Sequence, residues 1–444
     1  MTWAALLSTE SDLGTRARDA LLVIADSIAN RSYQLDPAQL RHFQRYEEAL
    51  LYSYLAVAFN DIAWATRATN CLNEAIDRAS ESFDHLGLFG GLAGLGWTVE
   101  HVSRCLGENP AFADGTELES PDLAEAASGE EDLTADIDGV ILRRLAHGAA
   151  QGDYDLINGL VGFGMYFLER LPRDSAVQGV RAVFEQIERL AQTLDDGITW
   201  YSPAELLPKW QREEYPNGYY NLGAAHGIPG IIHFLSEANA ACVVDRDRAS
   251  RLIDGAVHWL ITQQHPPGSV SCFSSWVFPG SESSDSRLAW CYGDLGILPV
   301  LLQASHRTDR REWRAFALEL LDHCLAWPPD KTGVVDAPLC HGAVGVAHIF
   351  NRIYQTEGDV RCLEAAHYWY ERALSFRRPG TGVGGFSALT RPNALGPPVW
   401  EVSPGFLDGA IGIALAFLAA TTPIEPTWDR MLLLSGTAPL PVAG

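Results

Sequence analysis

Six times along this chain a glycine, two residues and a second glycine lead into an unbroken apolar run. The copies are GLAGLGW from Gly91, GLVGFGMYFL from Gly159, GIPGIIHFL from Gly227, GDLGILPVLL from Gly293, GAVGVAHIF from Gly342 and GAIGIALAFL from Gly409. Successive first glycines lie 66 to 68 residues apart, with one interval of 49. Ser53 and Ala56 keep small residues three apart in an earlier, degenerate copy. A fixed long period is the mark of a repeat architecture, and it overrides any domain count taken from length.

Each copy is preceded by a longer stretch with helical periodicity, such as 180–194, 250–264, 311–327 and 360–376. Apolar residues there recur at steps of three and four, leaving a charged opposite face. The motif segments are apolar nearly all round, as helices buried on every side must be. Glycines three apart share a helix face, where they would admit a neighbouring backbone. Seven helix pairs result, beginning with 11–31 and 41–59. The expected fold is all-α, an α/α toroid of seven inner and seven outer helices in a single domain over 1–444. An open helical solenoid is the structural alternative.

Strand signals are confined to the connections. Three of these are long and polar (195–221, 265–287 and 378–404), and all are expected at one mouth of the toroid. Their aromatic residues Trp200, Tyr201, Tyr219, Tyr220, Trp276 and Trp400 suit either ligand lining or loop packing. The formal net charge of −24 excludes a surface built to replace counterions on nucleic acid. Much of the acid lies within 107–136, and an acidic, solvated insertion is expected at about 107–133. The N-terminus lacks the basic start and apolar core of a signal peptide, and no apolar run reaches membrane-spanning length. A cytoplasmic location follows, at most peripheral to a membrane-bound biosynthetic complex. The eight cysteines are not spaced as a disulfide framework. Cys71, Cys105, Cys324 and Cys362 read as small core residues.

Alignment on the first glycine isolates the chemistry. Immediately before it stand Gly90, Asn158, His226, Tyr292, His341 and Asp408; one position earlier stand Phe89, Ile157, Ala225, Cys291, Cys340 and Leu407. The two cysteines share a phase in consecutive repeats and should converge. Adjacent side chains such as Cys340 and His341 diverge by about 100° on a helix, so they can share an ion only at a loop-to-helix junction. Two thiolates and an imidazole suit zinc, and a vacant fourth position makes such a site catalytic. His226 shares the phase of His341 and reads either as a general acid or base or as a hydrogen-bonded histidine at a helix start. Asp155 is an N-terminal cap or a catalytic carboxylate, with Asp408 ranked below it. Arg287 either holds an anionic group or makes a loop salt bridge.

The segments YPNGYYNLGAAHGIPG (215–230), SRLAWCYGDLG (286–296) and LCHGAVG (339–345) resemble the lantibiotic (lanthionine) cyclase family. The resemblance covers about 90 to 420. It implies a seven-fold α/α toroid holding one zinc ion, with ligands at Cys291, Cys340 and His341. Acid/base positions then fall on His226 and Asp155, and supporting positions on Arg287 and Tyr292. The implied reaction adds a cysteine thiol of a precursor peptide to a dehydroalanine or dehydrobutyrine of the same peptide, closing a thioether ring. Leu295 stands where many members carry proline, and the first repeat lacks the glycines. The acidic segment puts leader-peptide recognition, not the metal site, in question.

The leading expectation is a zinc-dependent peptide thioether cyclase whose partner is a dehydrated precursor peptide. The chain ends soon after the last repeat with no dehydratase-sized region before it, so dehydration is expected from a separate enzyme, alongside an exporter complex. A second expectation is addition of glutathione-type thiols to dehydroamino acids. A non-catalytic zinc- or peptide-binding scaffold is a third, disfavoured by His226 and Asp155. The CYG and CHG pattern disfavours a prenyltransferase-like toroid.

Overall fold

The computed structural model describes residues 3–35, 45–81, 85–108, 112, 132–148, 153–280, 282, 284–391 and 396–436. Most of the acidic stretch 107–133 lies outside these. Among the described residues, no helix is long and apolar enough to cross a membrane. The backbone divides into two compact units. The first comprises Met1–Asp84, Thr98–Thr134 and Val334–Trp428; the second comprises His85–Trp97, Ala135–Gly333 and Asp429–Gly444.

In the first unit, α1 (Asp12–Ala29), α2 (Arg45–Phe59) and α3 (Ile62–Glu81) open the chain. The helix α4 (Leu92–Gly107) has residues in both units. The second unit continues with α5 (Ala135–Ala146), α6 (Leu160–Glu169), α7 (Asp174–Leu190), the short α8 (Lys209–Glu214), α9 (Ile228–Ala240), α10 (Arg246–Thr262), α11 (Asp294–Thr308) and α12 (Arg311–Leu325). The first unit then resumes with α13 (Ala343–Glu357), α14 (Val360–Ser375) and α15 (Ala410–Thr421). Motif helices alternate with amphipathic ones throughout. In the second unit α9 packs on α6, α10 and α11; in the first, α15 packs on α1, α2 and α13.

Burial follows the sequence pattern. Every residue of α15 is buried, as is every residue of α9 from Ile228 to Ala238. By contrast α7 buries Ala176, Val180, Val183, Phe184 and Ile187, a single stripe at steps of three and four. It ends at Leu190, short of the expected 194, because Gln192–Leu194 (β1) turns through Asp195 and Asp196 to pair antiparallel with Gly197–Thr199 (β2). The other strands also lie in connections. Tyr220–Asn221 (β3) pairs with Trp276–Val277 (β4), and Ala388–Thr390 (β5) with Val399–Glu401 (β6).

The motif glycines act differently from the sequence expectation. The first glycine of five copies is the N-cap of its helix, and none of these caps has a side-chain hydrogen bond. The second glycine meets not a neighbouring helix first but its own incoming loop. A Cβ on Gly345 would lie 1.9 Å from the Leu339 carbonyl oxygen; on Gly296, 2.0 Å from that of Trp290; on Gly412, 2.0 Å from that of Phe406. In each case the carbonyl belongs to the residue six earlier. The loop therefore folds back over the first helical turn, so closely that only hydrogen fits. Gly293 adds a positive φ of 107°, a conformation that L side chains resist. Glycine in a helix costs about 1 kcal/mol against alanine. Burying each of Ile411, Leu415, Phe417 and Leu418 of α15 contributes roughly 1.5–3 kcal/mol, which outweighs that cost.

Gly345→Ala tests this turn. In an open helix the change would stabilise by about 1 kcal/mol. Here it should destabilise by about 1–3 kcal/mol, as overpacking against backbone does. A urea midpoint at or above that of the parent protein would contradict the close approach.

Candidate functional site

The turn ahead of each motif helix is repeated and linked to its neighbour by backbone hydrogen bonds. In the second unit Leu88 and Phe89 donate to the Ile157 carbonyl, Leu156 donates to Ala225, and Ala225 donates to Cys291, at 2.9 to 3.4 Å. In the first unit Cys340 donates to Leu407 at 3.0 Å. The residues aligned by phase in the sequence are thus joined within each unit, and each polar residue before a motif glycine is held at a helix start.

His226, on the turn into α9, is bound through Nδ1 to Oδ2 of Asp155 at 2.6 Å. Asp155 is not the N-cap of α6; that position is Gly159. Its other oxygen, Oδ1, accepts the Asn158 N–H at 2.8 Å, which fixes the carboxylate while Oδ2 points at the imidazole. Burial works against a charge on His226. The Asp155 hydrogen bond and negative charge outweigh it, helped by Cys291 and Asp153, and the pKa rises above its ordinary value near 6.5. The ring is 38% exposed, enough to exchange a proton with solvent.

Tyr292 precedes Gly293 and lies against His226 with ring centroids 5.9 Å apart. Its hydroxyl accepts Nδ2–H of Asn221 at 3.4 Å, and burial pushes its pKa up. Trp276 meets the Tyr292 ring edge-on at 5.7 Å, and the β3–β4 ladder pairs Asn221 with Trp276. A cavity of about 490 Å³ opens here, with Asp153, Asp155, Asn221, His226, Trp276, Arg287 and Tyr292 among its lining residues. Burial, then the charge of Asp155, raises the Asp153 carboxyl to about 6. Arg287 is exposed on the cavity wall.

The structure thus brings Asp155, His226, Tyr292 and Arg287 to one cavity, with Cys291 buried at the adjoining helix start. In the first unit Cys340 and His341 are half-buried on the turn into α13, and His341 Nδ1 lies 3.7 Å from Asp408 Oδ1. Tyr219 and Trp276 line the cavity, whereas Trp200 is fully buried and donates its indole N–H to the Ile187 carbonyl at 2.8 Å. Tyr220 packs on Tyr201 and Trp259, and Trp400 is 58% exposed. Sequence reasoning missed Asp153 and Asn221. Asp153 had a signal, being the first acid of DYD; Asn221 had none before the β3–β4 pairing was known.

Residues 48–433 match the family described as lanthionine synthetase C-like protein. The chain belongs to that family. It is 27% identical over 215 residues to glutathione S-transferase LANCL1 of Danio rerio, which covers 48% of this chain and 47% of the relative. It is 24% identical over 257 residues to the nisin biosynthesis protein NisC of Lactococcus lactis subsp. lactis, covering 52% of this chain and 57% of the relative. The chain spans about half the length of the curated relatives it matches. The solved structure of nisin cyclase superposes with a TM-score of 0.70 at 19% identity, covering 94% of this chain and 97% of that one. The fold is therefore all-α, the α/α toroid, and family and fold relate the chain to lanthionine cyclases.

The raised pKa of His226 has a definite sign. The Asp155 pair stabilises the folded state fully below the ordinary histidine value, and that contribution is lost as pH rises through the folded pKa. An NMR titration should place the His226 ring above 6.5, and lower in Asp155→Asn than in the parent. Equal titration in the two proteins would remove Asp155 as the cause.

Proposed function

We propose that this protein is a zinc-dependent cyclase that adds cysteine thiols to dehydroalanine or dehydrobutyrine within a dehydrated precursor peptide, forming (methyl)lanthionine rings. The observation that carries the proposal is the Asp155–His226 pair, bound at 2.6 Å, facing a cavity one helix start from Cys291. Proton delivery and a candidate thiol-activating ligand are thereby neighbours in one unit.

The metal would be held by Cys291, Cys340 and His341. Their chemistry fits zinc, which takes thiolate and imidazole ligands and keeps a fourth position free in catalytic sites. Cys340 and His341 lie on a turn ahead of a helix, the setting that adjacent ligands require. Asp408 beside His341 Nδ1 is the kind of carboxylate that orients a ligating imidazole by its other nitrogen. A bound zinc ion supplies the positive charge that keeps a substrate thiol deprotonated near neutral pH.

The remaining work belongs to the side chains. Sulfur adds to the alkene β-carbon, and the electron pair moves toward the neighbouring carbonyl oxygen. The α-carbon then needs a proton. In the imidazolium form, which Asp155 favours, His226 holds Nδ1 to Asp155 and offers Nε2 as the donor. Asp155 holds the neutral ring in the Nδ1–H tautomer until solvent recharges it. Arg287 on the cavity wall offers a cation where the carbonyl oxygen becomes negative. Tyr292 lies against the imidazole, with Trp276 packed edge-on behind it. A separate dehydratase would supply the dehydroamino acids, and a cytoplasmic site of action beside an exporter would suit that sequence.

A second reading is supported by the name of the Danio rerio relative: the attacking thiol would be glutathione, with the same proton donor. Incubation with a dehydrated precursor, followed by alkylation and mass spectrometry, separates the two. Ring closure removes free peptide thiols at constant mass, whereas glutathione addition raises the mass and leaves them. Cys291→Ala should lose zinc and ring closure together. His226→Asn should keep zinc and slow closure by about 10²–10⁴-fold, the usual contribution of a positioned acid. Full zinc occupancy in Cys291→Ala/Cys340→Ala would overturn the ligand set.

A further inference from the structure

A second group of metal-ligating side chains lies wholly within the second unit, away from the residues assigned above. Cys272 belongs to the long connection 265–287, Asp294 is the first residue of α11, and His323 sits in the last turn of α12. One ligand atom from each lies within 4.8 Å of the others. Bonds of 2.0–2.3 Å to tetrahedral zinc separate its ligands by about 3.3–3.8 Å, so closure needs each pair to approach by at most about 1–1.5 Å.

The surroundings are those of a built site. Asp294 is fully buried, and His323 Nε2 lies 3.9 Å from its Oδ2. Its oxygens accept the backbone N–H groups of Cys272 at 2.8 Å and Phe273 at 3.0 Å. Those bonds orient the carboxylate and leave lone pairs on both oxygens, as in ligating carboxylates held by outer hydrogen bonds. His323 Nε2 is hydrogen-bonded to the Val270 carbonyl at 2.7 Å, a bond that ligation through the same nitrogen would replace.

From this cluster we infer a second zinc site, formed by Cys272, Asp294 and His323, that clasps the 265–287 connection to α11 and α12. Sulfur, imidazole and carboxylate donors together select zinc over calcium or magnesium, which require oxygen ligands. Binding releases the Cys272 thiol proton to solvent, His323 ligates through Nε2 as the neutral ring with its proton on Nδ1, and no electron moves. Three protein donors from three segments tie the connection to both helices, with the fourth position left to solvent. Its effect reaches the cavity through the chain: Ser275 and Trp276, three and four residues beyond Cys272, line it together with His226. The clasp would hold that wall in place. It stands independently of the thiol-activating site.

The test is zinc stoichiometry of the full chain by native mass spectrometry after reconstitution with the metal alone. Cys272→Ser and His323→Gln are each expected to bind one zinc fewer than the parent. Cys340→Ala/His341→Ala should retain the clasp ion until Cys272→Ser is added. If the thiol-activating site fails instead, the parent binds one ion, and Cys272→Ser alone removes it. A second measurement avoids variants altogether. Half-buried Cys272 should alkylate in chelator-treated protein and be protected by added zinc, as read by peptide mapping. Unchanged stoichiometry in both variants, or equal Cys272 alkylation with and without zinc, overturns the site and leaves a hydrogen-bonded cluster.

Discussion

The structure depends on a backbone contact too close for any side chain. At the start of a motif helix the incoming loop folds back until the carbonyl six residues earlier lies against the second glycine. That reversal presents one polar side chain at the helix start and frees backbone groups to bond to the next turn. The Leu156–Ala225–Cys291 series in one unit and the Cys340–Leu407 bond in the other follow from it. The repeat is therefore a device for placing chemistry at helix starts, and the apolar helices beneath make the placement rigid.

Buried carboxylates fasten the long connections to that frame. Buried Asp294 takes two loop amides and buried Asp336 takes the Leu389 amide at 3.0 Å, whereas half-buried Asp155 takes the Asn158 amide of its own turn. An ionised acid with no amide or cation beside it would be costly in such positions. These acids therefore hold their loops where the amides are. Of these three, Asp155 alone hydrogen-bonds an imidazole, at 2.6 Å, whereas His323 stays 3.9 Å from Asp294. Asp155 thus differs from the structural acids by its second partner, not by its position in the repeat.

Much of the fold was legible because helical periodicity and burial report the same physics. The apolar runs became the buried motif helices, and the striped segments became the amphipathic ones, with ends altered by a residue or a few. The helical pattern runs past the end of α7 because Leu194 stands four residues after Leu190; the hairpin formed by β1 and β2 decides the boundary. The glycines were noticed for the right spacing and the wrong neighbour. Spacing shows that two small residues share a face, but only coordinates show that the face meets its own loop.

For the site, the shared phase of Ala225, Cys291, Cys340 and Leu407 was a sequence fact, since residues at one phase of a repeat occupy equivalent turns. Sequence by itself therefore determined which helix starts bear sulfur, imidazole and carboxylate. It could not determine that Asp155 turns from capping α6 to binding His226, nor that Asn221 reaches Tyr292. Nor could it gather Cys272, Asp294 and His323 from three separate segments. Those pairings depend on how loops far apart in the chain fold over one another, and distance along a chain carries no record of such contacts. Tertiary structure alone decided them.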